Sequence, residues 1–352
     1  MSALRGNTLL LGAGLWTLGL LGSCGEQALT PLQFEAAQSF VDGLNAAPET
    51  VAYRGVRDWE IGGEAFGQPL QLLLKEQVQT DGEGGFQLQL LNSQVNGGEL
   101  NQPFADLYPI RQGFLFRYRD PQVLDFQRLM DNYLLIDAGQ SKTIADRPAF
   151  EVLLQPREGY HGGSTYSVWV DVETSLITGL TEWNKNGELL VRFEYSSLEL
   201  GAPEAGEYQA FDSPVDQVAL ENSGQLAEQL GHAVLEPSFV PRGFGLLESR
   251  TTQAPGEAPW AMLTYTDGIQ PLFFLYRSKM VVSTGSSGAD ISSTNLDSGQ
   301  VLGEPDLEAE ILHVSAAGWN VLQGRLGPQH EFMAVGRLDP DYLQLMIETA
   351  MP

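Results

Sequence analysis

Between residues 32 and 45, apolar side chains fall at Leu32, Phe34, Ala37, Phe40, Val41 and Leu44. Steps of three and four predict an amphipathic helix lying on something larger. From Val51 to Leu200 the period shortens to two. Tyr166, Val168 and Val170 alternate with Ser167, Trp169 and Asp171, and Val191, Phe193 and Tyr195 alternate with Arg192, Glu194 and Ser196. Such alternation predicts strands with one face buried. Turn residues punctuate the runs at 81–85, at Asn96-Gly97-Gly98 and at Asn186-Gly187, and an Asn-Gly between alternating runs predicts a hairpin. A second helix is expected over 121–133, with Val123, Leu124, Phe126, Leu129 and Met130 on its apolar side.

Residues 201–213 mix Gly, Pro and acidic residues and read as a linker, with a short helix expected at 214–230. Strands are then expected near 244–252, 260–266, 271–280, 309–314, 319–325 and 330–336. Asp267-Gly268 turns the second of these into the third, and a helix starts at Pro340 with Asp339 as its N-cap. Residues 283–300, rich in Ser, Gly and Thr, read as a loop. The fold class is therefore α+β: a large curved antiparallel sheet crossed by helices, plus a smaller α+β C-terminal domain. A curved sheet leaves a concave apolar face, which either holds a lipid or is filled by the protein's own helices. Periodicity does not decide between the two.

The first 23 residues follow another logic. Arg5 precedes an apolar run from Leu9 to Leu21, too short for the roughly 20 residues that span a bilayer but suited to a signal peptide. The run ends in Leu21-Gly22-Ser23-Cys24, which resembles the lipobox of bacterial lipoproteins: an aliphatic residue, two small residues, then cysteine. Small side chains at Gly22 and Ser23 fit a narrow protease cleft, and the Cys24 thiol can take a diacylglyceryl group. Each buried acyl CH₂ contributes about 0.8 kcal/mol, so two or more chains anchor stably. Cleavage is expected before Cys24, with residues 24–31 as a tether.

Composition narrows the chemistry. The chain has 352 residues, a formal charge of −26 and one cysteine. Repulsion from phosphate excludes nucleic acid as a natural partner. One cysteine leaves no internal disulfide and, if lipidated, no thiol catalyst. The histidines are His161, His232, His313 and His330, and none pairs at metal-ligand spacing. His330-Glu331 begins like a zinc-protease helix, but position 334 is Ala. Gly243-Phe244-Gly245 lacks the third glycine of a dinucleotide loop. Asp171 and Glu173 read as a solvated turn rather than a catalytic pair. No catalytic residue, metal or cofactor is expected.

Two stretches carry a family resemblance. Arg147-Pro148-Ala149-Phe150, within Ile144–Pro156, is followed by Tyr166-Ser167-Val168-Trp169-Val170-Asp171-Val172-Glu173-Thr174. This order is similar to the signature of LolA-like domains in envelope regulators of the RseB/MucB type, whose first strand also resembles Tyr53-Arg54-Gly55. Further on, Pro241-Arg242-Gly243-Phe244, Tyr265-Thr266-Asp267-Gly268 and Phe273-Phe274-Leu275 resemble the C-terminal domain of that type, as does Val335-Gly336 before the last helix. The resemblance implies a LolA-like half-barrel at 32–200, a linker at 201–231 and an RseB-like domain at 232–352. It implies a non-catalytic sensor in the cell envelope. Members of that type are typically soluble in the periplasm, and it is the lipobox at Cys24 that departs from them and predicts a membrane anchor facing the periplasm or exterior. That sensor binds an anti-sigma factor and a lipid or outer-membrane protein peptide. Partner contacts would fall at Phe244, Tyr265, Asp267, Gly268 and Phe273. The alternative is a lipid or lipoprotein carrier that uses the concave sheet alone, and the second domain favours the regulator.

Overall fold

The computed structural model of the chain describes residues 30–65, 68–83, 86–99, 122–160, 162–201, 216–220, 223–230, 233–253, 259–278, 311–316, 319–326 and 330–350. The expected signal segment, Cys24 and the 283–300 loop lie outside the described residues, as does the 201–213 linker after Gly201.

Among the described residues, ten strands form the first sheet: β1 (Thr30–Pro31), β2 (Tyr53–Ala65), β3 (Gln68–Thr80), β4 (Phe86–Val95), β5 (Gly98–Glu99), β6 (Tyr133–Ile144), β7 (Arg147–Pro156), β8 (Thr165–Asp171), β9 (Ile177–Trp183) and β10 (Leu189–Leu200). Their spatial order is β1-β6-β7-β8-β9-β10-β2-β3-β4-β5, and every pairing is antiparallel. Register shifts occur in β6–β7, β8–β9, β9–β10, β10–β2 and β3–β4. Each such bulge adds local twist, so the sheet curls rather than lying flat. Asn186-Gly187 sits in the β9–β10 hairpin and Asn96-Gly97 in the β4–β5 turn, as the sequence predicts.

Helix α1 (Phe34–Thr50) lies across the sheet. It buries Ala37, Val41, Leu44 and Ala47, the three- and four-residue steps of one helical stripe. These side chains join Tyr133, Leu135, Leu154, Tyr166, Val168, Phe193 and Tyr195 in one core. Burying a Val or Leu side chain contributes about 1.5–3 kcal/mol, so a charge at Val41 would undock the helix. α1 runs past the expected end at residue 45, because its buried stripe continues through Ala47 and Pro48. Helix α2 is shorter than expected, Phe126–Asn132, because Asp125 caps it by accepting from the Arg128 amide and Tyr133 at once enters β6.

Among the described residues, the second sheet has seven strands: β11 (Asp216–Leu220), β12 (Gly245–Gln253), β13 (Trp260–Thr266), β14 (Pro271–Ser278), β15 (Ile311–Ala316), β16 (Trp319–Leu326) and β17 (His330–Gly336). Their order is β11-β12-β13-β14-β17-β16-β15. The helix expected over 214–230 is corrected here: residues 216–220 pair antiparallel with β12, and only Ser223–Leu230 is helical (α3). Helix α4 (Pro340–Thr349) starts as predicted, with the Asp339 side chain accepting from the Asp341 amide. β13 and β14 are buried on both faces. One face packs Leu263, Tyr265, Phe274 and Phe332 with Leu226 of α3 and Leu343, Met346 and Ile347 of α4. The other face carries Met262, Phe273 and Leu275. The architecture is α+β. Among the described residues, no helix is long and apolar enough to cross a membrane.

Candidate functional site at the junction of the two sheets

The turn between β13 and β14, Asp267 to Gln270, is driven into the first sheet. Its own hydrogen bonds shape it: Asp267 Oδ1 accepts from the amides of Ile269 (3.0 Å) and Gln270 (2.8 Å), and the Gly268 amide donates to Thr266 Oγ1 (3.0 Å). Pro271 then opens β14 at the first strand position, where proline is tolerated. Gly268 has φ +113°, and its Cα faces backbone so closely that a Cβ would lie 2.4 Å from Leu129 N. Only glycine meets both demands.

The shaped turn presents three side chains to three receptors. Asp267 is completely buried, and its Oδ2 accepts from the hydroxyls of Tyr133 (2.6 Å) and Tyr160 (2.7 Å). Gln270 donates through Nε2 to Tyr166 Oη (2.6 Å), Ser164 Oγ (3.1 Å) and Glu182 Oε1 (3.3 Å). Its Oε1 is buried and meets no hydrogen-bond donor among the described residues. Ile269 points into the apolar space beneath α1. Backbone and side-chain bonds flank these contacts. The Leu124 and Asp125 amides donate to Gly268 O (2.8 and 3.3 Å), and Asn132 Nδ2 donates to Asp267 O (2.8 Å) and Gly243 O (2.9 Å). Arg337, after β17, pairs with Glu182 of β9, both largely buried.

Burial raises the Asp267 carboxyl above the usual carboxylate range, and the Tyr133, Tyr160 and backbone donors offset this only in part. Burial, then the nearby Asp267 charge, pushes Tyr133 and Tyr160 well above the ordinary phenol value, so both remain donors at every physiological pH. The cluster is thus polar and closed, with Gln270 Oε1 as a buried oxygen that meets no donor among the described residues. It offers no exposed nucleophile or general base.

Among the described residues, two hollows adjoin it. The first is enclosed by Phe40, Val41 and Leu44 of α1, by Leu135, Leu154, Tyr166, Val168, Ile177 and Leu180 of the sheet, by Gln122, Val123 and Leu129, and by Ile269. Its free volume is about 30 Å³, room for no more than about two waters. The concave face is therefore filled largely by the protein's own helix, with a small apolar remnant. The second is a wider surface depression of about 510 Å³, lined by Tyr160, Thr165, Trp183, Asn184 and Lys185 among others.

Phe244, Tyr265, Asp267, Gly268 and Phe273, expected to meet a partner, are all buried here. Asp267 and Gly268 form the junction, Phe244 and Tyr265 sit in the helix-covered core of the second sheet, and Phe273 lies on its other face. Cys24, Leu21, Gly22 and Ser23 lie outside the described residues. Asp171 departs from the solvated turn expected of it. It is buried and held by Arg147 (Nε to Oδ2 2.7 Å) and by Thr174, while Glu173 stays exposed. Burial alone would raise Asp171, but the Arg147 and Thr174 hydrogen bonds hold it below the usual carboxylate range. His330 meets the Tyr276 hydroxyl and His313 meets Asn320, while His161 and His232 lie outside the described residues. Among the described residues, no three His, Cys, Asp or Glu side chains converge as metal ligands. The junction residues that sequence reasoning missed are Asn132, Tyr133, Tyr160, Gln270, Glu182 and Arg337. Their roles arise from pairings across more than 80 residues, and no local pattern marks them.

Residues 111–223 match the MucB/RseB N-terminal domain family. The chain is 27% identical over 177 residues to the sigma factor AlgU regulatory protein MucB of Pseudomonas aeruginosa, covering 50% of each. The chain thus spans about half the length of that curated relative. It is similar to MucB in the crystal structure of its complex with MucA(peri), at 18% identity, TM-score 0.47, and coverage of 90% of this chain and 97% of that one. It is also similar to the P. aeruginosa MucA/MucB complex structure, at 19% identity, TM-score 0.45, and the same coverage. Over residues 111–223, therefore, the chain is similar to the N-terminal domain of RseB/MucB-type proteins.

Proposed function

We propose that this protein is a non-catalytic regulator of the cell envelope, in which the first sheet senses an apolar ligand and the second holds a protein partner. The partner is the extracytoplasmic part of a single-span anti-sigma factor, and the ligand is an acyl lipid or an outer-membrane protein peptide. Lipid on Cys24 keeps the protein at the membrane, facing the periplasm or exterior. The observation that carries this reading is the junction itself: one turn of the second sheet closes the apolar remnant of the first. A regulator needs two sites joined by a shared element, and this turn is such an element. The relative's description as a sigma factor regulatory protein supports the regulatory part. The burial of Asp267 and Gly268 means that partner contacts at those two residues require the sheets to separate.

The test is in-cell photocrosslinking from exposed positions on the second sheet, followed by mass spectrometry of the adducts. A single-span membrane protein that binds a sigma factor on its other side is the expected adduct. Copurifying phospholipid without any such adduct would replace this reading with the carrier. The apolar lining beneath α1 favours the carrier, whereas the 30 Å³ left there opposes it, because small-molecule sites occupy roughly 300–1,000 Å³.

A further inference from the structure

We propose that the Asp267–Gln270 turn is a latch opened by ligand, in which an acyl chain entering beneath α1 displaces Ile269 and so releases the second sheet from the first. The inference rests on the acyl-ligand part of the function proposed above and adds the means by which binding is transmitted.

The first argument concerns which wall can move. The hollow holds about 30 Å³, so any chain that enters must push part of the lining aside. Leu135, Leu154, Val168 and Leu180 belong to strands fixed by ladder hydrogen bonds on both sides. Val41 and Leu44 belong to a 17-residue helix with four or more side chains buried. Among the described lining residues, Ile269 alone comes from the second sheet, and it sits in a four-residue turn and is only half-buried. The wall of least resistance is therefore the one contributed across the junction.

The second argument is that Ile269 cannot leave by itself. Its amide donates to Asp267 Oδ1, and its neighbour Gln270 does the same. Displacing its backbone disturbs the carboxylate that Tyr133 and Tyr160 hold through Oδ2. Gly268 prevents a rocking motion, since its Cα abuts the α2 backbone and its carbonyl accepts from Leu124 and Asp125. The turn moves outward as a unit or stays.

The third argument is that Tyr166 belongs to both structures. Its ring lines the hollow, and its hydroxyl accepts the Gln270 amide. A ligand that tilts this ring loosens the latch at its other end. Release also brings the Gln270 Oε1, which has no donor among the described residues, into water. A buried, unsatisfied carbonyl makes the closed state easier to leave.

The experiment is hydrogen–deuterium exchange of the full chain in detergent micelles, with dodecanoate as probe and displacement of the fluorescent fatty acid cis-parinarate as the measure of binding. Saturating dodecanoate is expected to speed exchange at the amides of Leu124, Asp125, Ile269 and Gln270 about tenfold, within the usual range of coupling between sites. In Ile269→Ala, which makes room without displacement, dodecanoate is expected to bind at least as tightly while that acceleration largely disappears. Binding with unchanged exchange at these amides, or with equal acceleration in Ile269→Ala, would overturn the latch and leave the acyl-ligand reading standing. Absence of dodecanoate binding in both proteins would overturn the latch together with that reading.

Discussion

Gly268→Ala is the sharpest perturbation of the junction. The new Cβ would lie 2.4 Å from Leu129 N and 2.6 Å from Leu129 Cα, and neither backbone atom can give way without unwinding α2. The turn must withdraw instead. Withdrawal breaks the two tyrosine hydrogen bonds to buried Asp267, each loss costing about 1.5 kcal/mol because it leaves buried polar groups without partners. The positive φ adds about 1 kcal/mol of backbone strain for any residue with a Cβ. The expected loss is therefore about 4 kcal/mol of coupling between the sheets. Urea denaturation followed by circular dichroism and tryptophan fluorescence reads it. The wild type should unfold with the two signals coincident, and Gly268→Ala should unfold earlier with the signals separated, as the sheets melt independently. Gly97→Ala is the control: its φ is +79°, but nothing lies within 4 Å of its Cβ, so only strain of about 1 kcal/mol applies. If Gly268→Ala lost no more than Gly97→Ala, the turn would not be seated as described and the reasoning would fail.

Further outcomes follow from other contacts. Because burial raises the Asp267 pKa in the folded state, its contribution to stability is complete below the ordinary carboxylate range and declines as pH rises through its own raised value. Asp267→Asn should flatten that part of the stability–pH curve, and an unchanged slope would assign the titration elsewhere. Arg337→Met leaves Glu182 buried without its cation and should cost about 3 kcal/mol in denaturant titrations. The double variant with Glu182→Leu should recover much of that loss, and strict additivity would refute a direct pairing. Arg147→Ala removes two hydrogen bonds to buried Asp171 and should cost about 2 kcal/mol at neutral pH. Since Asp171 is held below the usual carboxylate range, that difference between Arg147→Ala and wild type should shrink as pH falls through the Asp171 value. Cys24→Ser should abolish lipid labelling and shift the protein from the membrane to the soluble fraction, and unchanged fractionation would remove the anchor.

Strands and terminal helices were legible because period and caps are local properties. The alternation of Val191, Phe193 and Tyr195, the Asn186-Gly187 turn and the Asp339 cap all read correctly. The 214–230 segment failed as a helix because 216–220 is decided by pairing with β12, a tertiary demand that outweighs local preference. Asp171 misled for a similar reason: a carboxylate at a strand end is usually solvated, and only the fold brings Arg147 over it. The candidate site was half-legible. Asp267-Gly268 stood out as a turn, yet Tyr133, Tyr160 and Gln270 carry no mark of their destination, because each is an ordinary residue made important by a distant neighbour.

The position of β1 sets a reach. Thr30 and Pro31 are already bonded to the edge of the first sheet at Asp137 and Ile136. Only six peptide steps separate Cys24 from Thr30, and a fully stretched chain covers at most about 3.5 Å per step. On the lipidated reading, that edge can never drift more than roughly 20 Å from the headgroups. Such a short leash would rule out shuttling between two bilayers and keep that edge of the sheet beside its own membrane.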